Sequence, residues 1–372
     1  MKWHGLKFCV LGLSVAYMFS AACATKAGGA AEGPLGVLVA SPTPAQNSPL
    51  TIAAVGDIMM ASTYPNESRM PPNDGADLLT DVTPILSSAD IAFGNLEGPL
   101  ADSGVSKKCA PKSTRCFAFR VPTRYGKYLK AAGFDVMSLA NNHAGDFGDA
   151  GRASTRRALD DQGIKHAGSD KSTYATTVVE TKGTRVAFVA FAHNAITPNV
   201  NDLASARRLV IEANKRADMV VVSFHGGAEG TNAQNVPLRT EIFAGESRGN
   251  LRLFARTVID AGADLVLGHG PHVLRGMEIY KERLIAYSLG NFCTYGWFQL
   301  VAETALTAIL EVKLDASGRF LGGKIHAGRQ EGRGRPVLDQ SGESTLVIRK
   351  LSISDFGAAA PRIAADGTIS IR

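Results

Sequence analysis

The chain has 372 residues, 45% of them apolar and 20% charged, with a formal net charge of +6. That balance suits a globular protein and excludes a disordered chain, a collagen, a coiled coil and a multi-span membrane protein. Five cysteines are too few for a disulfide-built scaffold. The charge is only mildly basic and no block of five Lys/Arg occurs, so no nucleic-acid partner is expected; the surplus is weakly compatible with a polyanion.

Residues 1–22 read as an export leader, a signal peptide of the lipoprotein type. Lys2, His4 and Lys7 form a basic start, Phe8 to Phe19 an apolar run, and Ser20-Ala21-Ala22 a small-residue site that leads directly into Cys23. The run is about 12–15 residues, short of the roughly 20 that a membrane span needs. Cys23 is then a candidate lipid anchor, although Ser20 stands where a Leu is expected; cleavage to a secreted or periplasmic soluble form and an uncleaved anchor are the alternatives. Residues 23–49, dominated by Ala, Gly, Pro and Ser, read as a flexible tether.

The folded part is expected over 50–372, and one pattern recurs to about residue 300. A helix-like stretch ends in Ala or Gly and then Asp; an apolar run follows and ends in polar residues. Thr51 to Val55 leads to Gly56-Asp57, Ile91-Ala92-Phe93 to Asn95 and Glu97, and Val136 to Leu139 to Asn141-Asn142-His143. Met219 to Val222 leads to His225, and Leu265-Val266-Leu267 to His269. Continuous apolar runs alternating with helices are what a parallel sheet buried on both faces requires. One such helix carries the stripe Leu251, Phe254, Val258, Ile259, with Gly262 as its C-terminal cap. Parallel strands put their carboxyl ends on one edge, where ligands collect in α/β sheets. Beyond residue 300, Thr304–Leu314, Gly322–His326 and Ser344–Leu351 read as strands, so 303–372 is expected to be a β-rich C-terminal part of the same domain.

Asp57, Glu97, Asn142, His143, His225 and His269 all fall just past a predicted strand end. They form an N/O ligand set suited to Zn, Mn or Fe, without thiolate. In Gly-His-Gly-Pro-His, Gly270 and Pro271 forbid a regular helix, so only a tight turn brings His269 and His272 together. Tyr287 to Phe292 follows another apolar strand. Ser288 lacks the GxSxG elbow of a serine hydrolase, and Asn291 is read as orienting a neighbouring ligand. No phosphate-cradling GxxxxGK[ST] and no post-strand GxGxxG is present. Cys109 and Cys116 in a loop-like stretch of an exported chain read as a local disulfide, with two free thiols as the alternative; Cys293 reads as a buried thiol.

Val55-Gly56-Asp57, Gly94-Asn95-Leu96-Glu97, Ala140-Asn141-Asn142-His143, His225-Gly226-Gly227-Ala228-Glu229, Gly268-His269-Gly270-Pro271-His272-Val273 and Tyr287-Ser288-Leu289-Gly290-Asn291-Phe292 occur in that order. Together they resemble the capsule-synthesis CapA family (poly-γ-glutamate biosynthesis, PgsA-like), itself similar to calcineurin-like metallophosphoesterases. The resemblance implies an α/β fold, a four-layer α/β/β/α sandwich. It implies Asp57, Glu97, Asn142, His225, His269 and His272 as ligands of one or two divalent transition metal ions. His143 is implied as general acid or transition-state stabiliser, and Asn95, Asn141, Glu229 and Asn291 as residues that orient the ligands or touch substrate. Two departures stand out. The phosphoesterases carry Asp-x-His where Asp57 is followed by Ile58-Met59, and a bridging Asp where Glu97 stands in a different frame; one metal is then lost or differently held.

The implied function is an envelope-anchored protein supporting synthesis, release or export of an anionic polymer such as poly-γ-glutamate, by metal-dependent hydrolysis. A membrane-bound polymer synthase is the expected partner. A non-catalytic accessory subunit that binds polymer or synthase, favoured by Met59, is the first alternative. A general envelope phosphomonoesterase is the second.

Overall fold

The computed structural model describes residues 48–109 and 116–371. The leader, the tether up to residue 47 and the Cys23 anchor lie outside the described residues.

Strands β1 (Leu50–Met59), β2 (Ile91–Leu96), β3 (Val136–Ser138) and β4 (Lys165–Ala167) come first, with helices α1 (Thr83–Leu86), α2 (Gly126–Ala131) and α3 (Gly148–Asp160) between them. Then come β5 (Thr176–Thr181), β6 (Thr184–Ala192), α4 (Leu203–Asn214) and β7 (Met219–His225). A small hairpin, β8 (Glu241–Phe243) and β9 (Glu246–Gly249), precedes α5 (Leu251–Asp260) and β10 (Leu265–His269). Next are β11 (Met277–Tyr280), β12 (Arg283–Ala286), β13 (Asn291–Thr294), β14 (Leu306–Leu314), β15 (Phe320–Glu331) and β16 (Arg335–Leu338). The chain closes with α6 (Glu343–Phe356), β17 (Arg362–Ile363) and β18 (Thr368–Ser370).

Ten strands make one sheet, ordered β17-β18-β15-β14-β1-β2-β3-β4, with β13 also paired to β1 and β16 to β15; six make another, ordered β11-β12-β10-β7-β6-β5. Strands β1 to β4 are parallel, as are β6, β7, β10 and β12; the strand–helix alternation read in the sequence gives both runs except β12, which follows the antiparallel β11. The two sheets pack face to face. Ile52, Ala54, Phe93 and Val136 of the first meet Phe188, Ala190, Val221 and Leu267 of the second in one buried core, with Phe93 stacked on Phe188 at 5.4 Å. Every other residue of each strand turns outward. Val55, Ala92 and Met137 lie against Leu86, Leu129 and Leu159 from α1, α2 and α3. Val220, Val222 and Val266 lie against Val210 of α4 and Phe254 and Val258 of α5. The layers are therefore α/β/β/α, the four-layer sandwich expected. The C-terminal strands belong to it, because β14 pairs antiparallel with β1 along Leu50 to Ala54.

Helix α5 ends where Gly262 turns the backbone to φ +108. Ser344–Leu351, expected as a strand, is instead most of α6. Its buried face runs Ser344, Ile348, Leu351, Ser352, a helical spacing in which two serines hide the apolar stripe. Both are satisfied in place: Ser344 Oγ donates to Gly328 O, and Ser352 Oγ donates to Ile348 O and accepts from Met277 N.

Candidate metal centre

The carboxyl ends of β1 and β2 in one sheet and of β7 and β10 in the other converge. Asp57 sits in β1 where the pairing with β13 shifts register, opposite Asn291. Gly56 permits that approach, since a Cβ there would lie 2.0 Å from Gly290 O. Glu97 directly follows β2, its N–H donating to Ile58 O at 3.0 Å. His225 ends β7 in register with His269 of β10. Asp57, Glu97, His225 and His269 are all fully buried.

Three of these form a cluster. Asp57, Glu97 and His225 each present a ligand-type atom within 4.8 Å of the others. His225 Nδ1 is 3.8 Å from Asp57 Oδ1, and its Nε2 is 3.8 Å from Glu97 Oε1. Both Glu97 oxygens and His225 Nε2 are buried in this cluster without a hydrogen-bond partner, and Asn142 Oδ1 is buried and unpartnered as well. Folded proteins rarely leave so many polar atoms unsatisfied in one place. His272 stands at the edge of the cluster, its Nδ1 3.0 Å from Asp57 Oδ2 and its Nε2 3.7 Å from Glu97 Oε1. That Nδ1 also meets Asn291 Oδ1 at 3.0 Å; an amide oxygen only accepts, so Nδ1 carries a proton and Nε2 is the nitrogen left to bind an ion once the ring is neutral. His272 reaches this position through a left-handed backbone, φ 58. Gly270 before it has φ +114 and would press a Cβ to 2.6 Å from Gly226 O.

The expectation that His269 is a ligand is corrected. Its Nε2 donates to Val55 O at 3.1 Å, and its Nδ1 lies 3.5 Å from Ser223 Oγ. Both nitrogens thus face protein partners, and the ring ties the two sheets together behind the cluster. Asn95 and Asn141 form a supporting chain. Asn95 Nδ2 donates to Asp57 Oδ1 at 2.7 Å and faces His225 Nδ1 at 3.3 Å. Asn141 Nδ2 donates to Asn95 Oδ1 and to Leu96 O, while Asn141 Oδ1 accepts from His143 N. Glu229 accepts from Arg248 Nη1 at 2.8 Å, and its charge acts on Glu97 and His272. Ser288 holds a turn, donating to Val273 O and accepting from Gly290 N. Met59 is fully buried and its carbonyl accepts from Tyr295 N.

His143 faces the cluster from the other side, its Nε2 3.8 Å from Glu97 Oε1. Three residues around it were not among those the sequence singled out. Asp146 Oδ2 accepts from His143 Nδ1 at 2.7 Å. Lys108 Nζ lies 2.6 Å from Asp146 Oδ1 and donates to Asn142 O at 3.1 Å. Phe119 stacks on the imidazole at 3.8 Å. Asp146 alone had a local cue, three residues beyond His143 in one turn-rich segment. His193 also joins from β6's end, its Nδ1 3.4 Å from His225 O.

Burial sets the protonation of this site. It raises the Glu97 carboxyl well above its usual range and pushes His225 well down, helped by the neighbouring His272. It lowers His143 and His269 as well. For His272 burial opposes the charge, but Glu97 and then Asp57 outweigh it and lift the imidazole to about 10. Two buried carboxylates facing imidazole nitrogens, with no thiolate in the cluster, are a donor set that fits a divalent transition ion. Such an ion would satisfy the unpartnered oxygens.

Residues 51–295 match the family described as bacterial capsule synthesis protein PGA_cap. The chain belongs to that family. The PGA biosynthesis protein CapA of Bacillus subtilis (strain 168) is 32% identical over 319 residues, spanning 82% of this chain and 78% of that protein. The capsule biosynthesis protein CapA of Bacillus anthracis is 29% identical over 326 residues, spanning 82% and 74%. A crystal structure of a 5'-nucleotidase precursor from Thermus thermophilus aligns at a TM-score of 0.40 and 14% identity, covering 78% of this chain and 54% of that one. At that score it adds nothing to the two-sheet architecture described above. Among the described residues no helix of this PGA_cap protein is long and apolar enough to cross a membrane.

Proposed function

We propose that this PGA_cap protein is a metal-dependent hydrolase of the cell envelope, acting in the synthesis, release or export of an anionic polymer of the poly-γ-glutamate type. One observation carries the chemistry: the unpartnered Glu97 oxygens and His225 Nε2, clustered with Asp57, lie beside a histidine backed by a carboxylate. The family membership carries the biological setting.

In this reading Asp57, Glu97, His225, Asn142 and His272 hold one or two ions of Zn, Mn or Fe. The metal would lower the pKa of water and polarise the scissile group. Asn95 sets the Asp57 carboxylate and Asn291 sets the His272 ring, so that neither turns away from the ion. Asp146 keeps the proton of His143 on Nδ1, so Nε2 faces the cluster and can hold or deliver a proton at the leaving atom. Cys23 is proposed to carry the lipid that keeps the chain at the membrane, beside a membrane-bound polymer synthase.

Asp57→Ala and His225→Ala test the chemistry in the source cell. Both should abolish polymer output or release while the folded protein accumulates normally; unchanged output would refute the hydrolase. Cys23→Ser tests the anchor, moving the protein from the membrane to the soluble fraction; no movement would reject acylation. A second reading, a non-catalytic accessory that binds polymer or synthase, is favoured by Met59, whose buried thioether replaces a hard ligand.

A further inference from the structure

The loop that leaves β2 returns to the fold at Val121, closed at its base where Ala101 N donates to Val121 O at 2.8 Å and Val121 N to Pro99 O at 3.0 Å. Nearer its tip it is closed again by the Cys109–Cys116 disulfide. Lys108 directly precedes the first cysteine, and Phe119 stands three residues beyond the second. Both reach the same pair of residues from opposite sides. Lys108 Nζ lies 2.6 Å from Asp146 Oδ1 and 3.1 Å from His143 Nδ1. Phe119 N donates to Asp146 Oδ2 at 2.7 Å, and its ring covers the His143 imidazole at 3.8 Å with the planes 14° apart.

We propose that the Cys109–Cys116 disulfide is a positioning element of the site, holding Lys108 and Phe119 as two jaws on the Asp146–His143 pair so that the imidazole keeps one orientation. The proposal takes its catalytic meaning from the hydrolase reading; its geometric content stands without it.

The physical case is one of tethering. From Ala101 to Cys109 the backbone is in no helix or strand; Asp102 and Gly104 tie its start to Thr123 and Arg120, but Val105 is 81% exposed and no ladder carries the stretch on to Lys108. The Lys108 side chain is itself 30% exposed, and an ion pair so open to water is worth at most about 1 kcal/mol. That is too little by itself to fix the end of this stretch. The Phe119 flank is different: Phe119 is buried and packs on Trp297 at 4.2 Å. The disulfide joins the loose flank to the fixed one and removes most of the freedom that Lys108 would otherwise have. Reduction by a dithiol breaks the S–S bond to two thiols while the reagent closes to its own disulfide. The Lys108 flank is then free to leave Asp146, which keeps its other contacts but not its bracing cation.

The test uses the full-length chain loaded with Zn and labelled with 15N-histidine, as oxidised wild type, dithiothreitol-reduced wild type and the Cys109→Ser/Cys116→Ser variant. In oxidised protein the His143 Nδ1 proton, assigned by its loss in His143→Gln, should give a slowly exchanging downfield signal. Opening the bond should broaden it or shift it, while the His272 signal and the zinc content stay constant. With a p-nitrophenyl ester as probe, kcat should fall about ten- to a hundredfold at constant KM. In a His143→Ala background, opening the bond should change the residual rate less than about twofold. An unaltered His143 signal in both the reduced protein and the variant overturns the proposal. A chain inactive on every ester refutes the hydrolase reading instead, and the His143 signal then decides this proposal alone. Should the serine variant fail to fold, the reduced wild type supplies the same comparison.

Discussion

Replacing Glu97 by Gln separates a functional carboxylate from a structural one. The side chain is fully buried, both oxygens lack a hydrogen-bond partner, and three imidazole nitrogens stand 3.7–3.8 Å away without closing a bond. A buried polar group left unsatisfied costs about 1–3 kcal/mol, more when charged. Gln keeps the shape and carries no charge to desolvate, so the metal-free protein should gain about 1–3 kcal/mol, or roughly 2–6 °C in Tm. The gain depends on pH. Because burial raises the Glu97 carboxyl above 4.5 in the fold, the native state holds a proton that the unfolded chain has released, and wild-type stability falls as pH rises past that value. The Gln variant lacks this loss, so its advantage should be absent below about pH 4 and present at pH 7. Metal narrows the gap. Excess Zn or Mn at about a hundred times Kd stabilises a binding fold by about 2.7 kcal/mol, and a site weakened about tenfold keeps only about half of that. Thermal melts of both proteins, with chelator and with metal, measure all of this. A Gln variant that is less stable without metal yet binds metal as tightly would show Glu97 to be a structural residue and refute the reasoning.

Two further outcomes are expected. His272, lifted to about 10 by Glu97 and Asp57 against the effect of burial, carries a proton at pH 8 that an incoming ion must displace, so metal binding should release about one proton; titration calorimetry in two buffers of different ionisation heat reads it, and equal heats would contradict it. Asn291→Ala removes the acceptor that holds His272 Nδ1–H and should weaken metal affinity about 10–100-fold with the fold intact; unchanged affinity would remove His272 from the ligand set.

The strands that build the site were readable because a sheet buried on both faces leaves no alternation, only continuous apolar runs ending in polar residues. Asp57, Glu97, His225 and the Asn141–His143 segment lie at or just past such ends for that reason. What the sequence hid is tertiary or depends on backbone sign. His269 and His272 share one five-residue motif, yet the first turns between the sheets to Val55 O and the second turns outward to Asp57; Gly270 and the left-handed His272 decide this, and spacing alone does not. Lys108 and Phe119 reach His143 only through loop closure, from a distant stretch of the chain. Helix α6 is masked in the sequence because Ser344 and Ser352 interrupt its apolar stripe, although both serines are buried and bonded. A left-handed non-glycine backbone costs about 1–3 kcal/mol. Its occurrence at His272, among unpartnered buried atoms, fits a segment selected for the ligand it holds rather than for stability.

The most direct measurement is the metal content of the full-length chain, wild type and His225→Ala, after purification and after reconstitution with Zn or Mn. About one or two ions per wild-type chain are expected, and their loss in the variant, with both proteins folded. A wild-type chain that takes up no ion under either condition would contradict the metal centre and leave the accessory reading in its place.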